Sequence, residues 1–413
     1  MNTPSTTLAL HGGLKAVTSA RPVHHRWGAE ELARLTAMVE QPSLFYWNGA
    51  QCASMLTEFR RTYPLEWCMP CSSGSAGLHI AVAALQLLPG SEIITSPVTD
   101  MGSVIGMLYQ QCVPVFADID PHTYNLDPED VRRRITPNTK ALMIVHLAGN
   151  PSDLDALLAI AREHNLYVIE DCAQSWGAKY RGKPVGLFGH LACYSFNEYK
   201  HVSCGDGGIV GTNDPQFGPT LAKWGDKHYD RATGGRNPET LSPNYRMSEP
   251  QAAVAGGQLV KLPAIIDTHI RLGSRLLNRL RELALPGVVL PEIDPRNTHS
   301  FWFCLLRLTP SAFSCTRNEL VIALQAEGVQ AAAGYIPKPV YGYPLFQNHN
   351  FFAGGWPLRE AGLTDMDYRN VKCPVAEAML AEGVSLPISP AMTEEIIDQT
   401  ASALAKVVRF YAV

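Results

Sequence analysis

The chain predicts an α/β protein: a large, mostly parallel sheet sandwiched by helices, followed by a smaller C-terminal α+β domain. Three observations predict this. Short apolar runs rich in β-branched residues alternate with helical stretches between residues 67 and 196. Polar residues collect just past the carboxyl ends of those runs, where ligands gather in parallel sheets. Beyond about residue 215 the pattern changes to long helices interrupted by prolines.

The first strand candidates are Trp67–Cys71, Glu92–Ser96 and Val113–Asp118, with an apolar helix over Ala76–Leu88 between the first two. Ala141–His146, Tyr167–Glu170 and Ala192–Phe196 follow. Runs of this length separated by helices predict right-handed βαβ units. Ser248 and Gln251 stand in the S-x-x-Q spacing of a capping box, with Pro250 in the first turn of an alanine-rich helix. Past Leu262-Pro263 a charged helix runs to about Ala284, and Pro286, Pro291 and Pro295 then break the chain. We expect a large domain with an N-terminal arm over residues 1–265 and a small domain over residues 266–413.

With 413 residues, 46% hydrophobic and 17% charged, the composition is that of a globular protein. The net charge of -4, without a basic field, argues against nucleic acid or an anionic membrane as partner. No run approaches the roughly 18 apolar residues of a membrane span. The N-terminus lacks the charged and apolar regions of a signal peptide, so a cytoplasmic location is expected. Ten cysteines scattered through apolar runs read as free thiols. Cys68-Met-Pro-Cys71 is a lone C-x-x-C: a zinc site would need a second pair, which leaves a redox motif or strand-end packing.

The chemistry centres on Lys200. The run Cys193–Phe196 carries Ser195, the lysine follows five residues later, and Gly205-Asp-Gly-Gly208 closes the segment. Such a turn can place a reactive amine beside a bound phosphate, as a Schiff base with pyridoxal phosphate requires. Cys71-Ser-Ser-Gly-Ser-Ala-Gly77 opens a helix, where small residues let backbone N–H groups approach an anion or simply cap the helix. Leu166–Glu170 delivers Asp171 and Gln174 directly off an apolar strand. A buried acid there needs a cation, either a protonated pyridine nitrogen or a structural Arg or Lys.

Six segments together resemble the DegT/StrS-type sugar aminotransferases: Ser72–Leu78, Glu170–Gln174, Gly182–Gly186, Ser195–Lys200, Gly205–Gly208 and Asn244–Ala253. They stand in that family's order and cover roughly residues 8 to 260, with a looser match at Gly334–Tyr341. The resemblance implies the aspartate aminotransferase fold, type I of the pyridoxal phosphate enzymes. It implies that Lys200 carries the cofactor as an aldimine and moves protons, that Asp171 pairs with the ring nitrogen, and that Gln174 contacts the 3-hydroxyl side. Gly74, Ser75 and Ser195 would hold the phosphate, and Asn244 would reach the phosphate of a neighbouring subunit in a homodimer.

The function implied is ping-pong transfer of an amino group from glutamate or glutamine to a keto sugar, nucleotide-linked keto sugar or keto cyclitol. A pyridoxamine-dependent sugar dehydratase, with histidine in place of the lysine, is the alternative on the same fold, and His201 is adjacent to Lys200. A non-catalytic cofactor-binding protein is the alternative from another class. The chain departs from the family at Ser96-Pro-Val-Thr-Asp100-Met101, where an acid takes the place of the aromatic that stacks on the ring. Either Met101 moves over the ring, or Asp100 faces the ring and a substrate amine or hydroxyl, or the change is local sequence drift with stacking supplied elsewhere. Lys338 stands where relatives often carry a histidine. The loop Trp224–Arg231 offers His228, Tyr229 and Arg231 for acceptor binding, or as an exposed polar surface.

Overall fold

A computed structural model describes residues 7–413, so the sequence-based expectation for the first six residues lies outside it. Helices α1 (Ala29–Val39) and α2 (Ala50–Thr62) precede strand β1 (Trp67–Cys71) and helix α3 (Gly74–Ala84). Then come β2 (Glu92–Thr95), α4 (Gly102–Tyr109), β3 (Val113–Phe116), α5 (Pro128–Arg134), β4 (Thr139–Val145), α6 (Leu154–Glu163) and β5 (Tyr167–Asp171). A two-stranded hairpin of β6 (Lys179–Tyr180) and β7 (Lys183–Pro184) leads to β8 (Leu191–Ser195) and β9 (Gly208–Thr212).

Seven of these strands form one sheet in the order β1-β9-β8-β5-β4-β2-β3. Pairings from β8 through β5, β4 and β2 to β3 are parallel, and β9 runs antiparallel to both its neighbours. The two prolines of this seven-stranded sheet, Pro70 and Pro114, lie on its two edge strands, where a missing N–H costs least. Alternate residues feed two cores. Leu142, Ile144, Val168, Tyr194 and Ile209 pack toward Met55, Phe59 and Ala255, while Met143, Ile169, Cys193 and Val210 pack toward Leu78 and Ala81 of α3. Both faces are thus buried, which is why the strands read as continuous apolar runs.

The six strand candidates all form, with ends shifted by one or two residues. Strand β9 was not anticipated, since its glycines read as a turn. Nor does Pro263 end a helix: α7 runs unbroken from Glu249 to Leu283 with that proline inside. Its buried residues up to Ile266 join the core of the large sheet, and those from Leu272 onward join a C-terminal core. We infer that the two domains divide inside this helix, near residue 265. The C-terminal part holds a four-stranded antiparallel sheet, in the order β10 (Val288–Val289), β11 (Phe303–Leu308), β13 (Gly383–Pro387) and β12 (Ala332–Ala333). Among the described residues no helix is long and apolar enough to cross a membrane.

The lone C-x-x-C sits on β1, and its two thiols face different cores, Cys68 beside α2 and Cys71 beneath α3. Burial pushes Cys71 up to about 12 and Cys193 well above the ordinary thiol range, so neither is a ready nucleophile. Packing, not redox chemistry, accounts for the motif. Native alkylation at about pH 8 should leave Cys71 and Cys193 unlabelled while labelling both in denaturant, as read by peptide mass.

Candidate active site

Strands β1, β5 and β8 end on one side of the sheet and bring six of the seven expected site residues into one cavity of about 310 Å³. Gly74, Ser75, Asp171, Gln174, Ser195 and Lys200 all line it. Asn244 does not. It is exposed on the segment that bridges to Asp226, outside this cavity.

Helix α3 starts at this cavity, with Ser73 Oγ accepting the N–H of Ala76 at 3.1 Å. The N–H groups of Gly74 and Ser75 belong to the first turn, where no intrahelical acceptor exists. Gly74 is required by proximity: a Cβ there would lie 2.7 Å from Ser195 Cβ. Gly208 is required on the other side, where a Cβ would lie 2.5 Å from the Ser73 carbonyl oxygen. The two glycines let three backbone segments close around a small concave surface rich in hydroxyls and N–H donors, the chemistry of an anion cradle.

Asp171 lies at the end of β5 and is buried. Its Oδ2 accepts the Ser103 hydroxyl at 2.7 Å and its Oδ1 the N–H of Ala173 at 3.0 Å. Among the described residues no cation lies within ion-pair distance of it. Burial raises its affinity for a proton above the ordinary carboxylate range, with Ser103 and Ala173 offsetting part of the effect. A buried carboxylate left short of positive charge is suited to a protonated ring nitrogen. Gln174 is held from both sides: Oε1 accepts the Ala148 N–H at 2.9 Å, and Nε2 donates to Tyr335 Oη at 3.1 Å.

Lys200 projects from the turn after β8, its Nζ 3.6 Å from the centre of the Trp302 ring. Burial lowers the amine to about 8, against the pull of Asp171 and Asp100. Roughly a tenth of it is then neutral at pH 7, far more than for an ordinary lysine. The backbone of this turn is clamped from the N-terminal segment: Arg26 donates to the carbonyls of Glu198, Lys200 (2.5 Å) and His201 (3.2 Å). His201 itself turns away, its Nε2 3.0 Å from the Ser300 carbonyl oxygen, and does not line the cavity.

Asp100 lines the cavity and Met101 does not. Met101 instead packs against the apolar cluster around Val98 and Phe303. Lys338 is exposed and also lies outside the cavity. In the Trp224–Arg231 loop, Arg231 is committed to the buried Asp226, through Nε at 2.5 Å and Nη2 at 3.0 Å, alongside Arg246 and Tyr46. Its guanidinium is therefore spoken for within the fold. Sequence reasoning missed Ser103, Trp302, Tyr335 and Arg26. Of these, Ser103 left a signal as a polar residue with Thr99 beside an apolar helix, the two hydroxyls lying 2.6 Å apart, and Tyr335 lies in the loosely matched Gly334–Tyr341 segment.

Glu170, one residue before Asp171, accounts for the Gly182–Gly186 motif. Its carboxylate accepts the N–H groups of Gly186 (2.7 Å), Phe188 (2.7 Å) and Gly189 (2.6 Å) and faces His146 Nε2 at 3.2 Å. With Cys172 these side chains have metal-like spacing. The carboxylate is already filled by donors, however, and His146 Nδ1 accepts the Ser152 N–H at 3.1 Å, which makes the cluster structural. Glu170→Ala should lower folding stability by about 3 kcal/mol or more, measured by urea denaturation, because four buried donors lose their acceptor.

The model of the DegT/DnrJ/EryC1/StrS aminotransferase family matches residues 26–405. Among solved structures, the chain is similar to an aminotransferase from Psychrobacter cryohalolentis, with 27% identity, TM-score 0.82, and coverage of 93% of this chain and 97% of that one. It is similar to S. venezuelae DesV in complex with a ketimine intermediate at 28% identity and TM-score 0.79, covering 92% and 94% of the two chains. For DesI in the presence of its TDP-sugar product the identity is 25%, the TM-score 0.76 and the coverage 96% and 95%. The cavity's anion cradle, its uncompensated buried carboxylate and its buried amine fit the cofactor of these enzymes, pyridoxal 5′-phosphate. The chain belongs to the DegT/DnrJ/EryC1/StrS aminotransferase family, pyridoxal phosphate enzymes of fold type I.

Proposed function

We propose that this aminotransferase takes an amino group from glutamate or glutamine and passes it to a keto sugar, nucleotide-linked keto sugar or keto cyclitol. The observation that carries the reading is the meeting of Lys200, Asp171 and the Gly74–Ser75 turn in one cavity. The TDP-sugar product bound by the similar DesI supports a sugar-like acceptor. The ten unpaired cysteines support a reducing compartment such as the cytoplasm.

In this reading Gly74, Ser75 and Ser195 hold the cofactor phosphate, Asp171 accepts a hydrogen bond from the ring nitrogen, and Gln174 lies on the 3-hydroxyl side. When bound, pyridoxal phosphate supplies the electron sink that makes the donor's Cα–H acidic. Asp171 keeps that sink charged, and Ser103 and Ala173 orient its carboxylate. Lys200 Nζ takes the proton from the donor Cα and returns one to the acceptor carbon in the second half-reaction. An amine near 8 can do both at neutral pH. The donor leaves as its oxo acid before the acceptor enters, so one cavity serves both substrates in turn.

Asn244 is exposed and lies outside the cavity, which supports a role toward the phosphate of a neighbouring subunit in a homodimer. The dehydratase alternative gains nothing from His201, whose ring is tied to Ser300.

Lys200→Ala should abolish the visible band of the cofactor-loaded protein and slow amino transfer by about 10⁴-fold or more, read by single-turnover absorbance with glutamate and with glutamine. A normal rate in that variant would refute the assignment. Gly74→Ala should weaken cofactor retention about tenfold or more in equilibrium dialysis, because its methyl group meets Ser195. Keto sugars and keto cyclitols screened against the aminated enzyme identify the acceptor by return of the original absorbance.

A further inference from the structure

Three carboxylates line the cavity that holds the Lys200 amine: Asp100, Asp171 and Asp206. Asp171 spends both oxygens on Ser103 and Ala173. Asp206 sits in the turn before β9, where its Oδ1 accepts the Asn197 side-chain N–H at 3.1 Å. Asp100 is arranged differently. Its Oδ1 is held at 2.8 Å by the N–H of Gly102, the first residue of α4, and this bond aims the group. No donor among the described residues engages its Oδ2.

Several groups share this space. Lys200 lines the same cavity as Asp171 and Asp100, both of which pull its amine toward the charged form, and its Nζ lies over the Trp302 ring. From the C-terminal half, Tyr335 and Tyr343 face Asp100, and both phenols are held neutral by burial, with Asp100 adding to the effect. His201, next in sequence, is kept uncharged by burial and contributes no positive charge. The only cation within this set is the lysine itself.

We propose that Asp100 is the counter-charge of the working lysine, its carboxylate holding the Lys200 nitrogen in the cationic, proton-bearing form while that nitrogen is bonded to the cofactor, before the donor frees it to act as a base. Asp100 is then a positioning residue that acts through Lys200. Its pull grows as the cofactor expels water, because opposite charges interact more strongly at low dielectric. The sign is set by the charge: a neighbouring anion raises the pH at which the lysine nitrogen gives up its proton. The site stays cationic at higher pH than the buried lysine would sustain alone. This inference rests on the reading of Lys200 as the residue that bears the cofactor.

The test is a pH titration of the visible absorbance of the cofactor-loaded protein. Asp100→Asn keeps an oxygen for the Gly102 N–H and removes only the charge. Its midpoint should fall by about one pH unit, while Asp100→Glu stays within about 0.3 unit of the wild type. A midpoint in Asp100→Asn equal to the wild type, with the band intact, overturns the proposal. Should Asp100→Asn fail to fold, Asp100→Ser can still cap Gly102 and is read against the same two outcomes. Failure of the underlying assignment looks different: a band that persists in Lys200→Ala would displace Lys200 whatever Asp100 does.

Discussion

Two consecutive carboxylates, Glu170 and Asp171, close the central strand β5, and the rest of the structure depends on how differently they are satisfied. Successive strand residues face opposite sides of a sheet. Glu170 therefore meets the Gly186–Gly189 turn and His146, while Asp171 meets the cavity. Burying either carboxylate is costly unless donors surround it. Glu170 has four and is complete, so it fastens the hairpin and following turn to the sheet. Asp171 has two, and the deficit is chemical capacity: the site is built to accept one more positive partner.

The same division runs through the cavity wall. Residues that shape it, such as Gly74 and Gly208, act by leaving room, and they let the start of α3, the end of β8 and the start of β9 approach within contact distance. Residues that charge it, Asp100, Asp171 and Lys200, come from three different strand ends or helix starts. Arg26 then ties the Lys200 turn to the N-terminal segment, and that segment is tied to α7 by Gln258 and Lys261, which both donate to the Arg26 carbonyl oxygen. The amine's position thus depends on elements more than 170 residues away in sequence.

Most of the large sheet was legible because buried parallel strands announce themselves as short apolar runs. Strand β9 was not, since Gly208 and Gly211 dilute its apolar character; it forms because only glycine fits between neighbouring segments there. Pro263 misled for the opposite reason. Its local cost in a helix is real, but α7 is packed along its length and tertiary contacts outweigh it. The Trp224–Arg231 loop read equally as a binding surface or an exposed polar loop, and the buried Asp226 claims its arginine.

By itself the sequence determined where Lys200, Asp171 and the Gly74–Ser75 turn lie, the groups proposed to bear, pair with and cradle the cofactor, because each is a local property: a residue type at a fixed distance from a strand end or helix start. The tertiary structure decided which partners complete them. Ser103 on Asp171, Tyr335 on Gln174 and Trp302 beneath Lys200 join segments far apart in the chain, and Asp100 meets Lys200's cavity only in the fold. Whether a buried charge is compensated depends on what folds against it, and no local pattern records that.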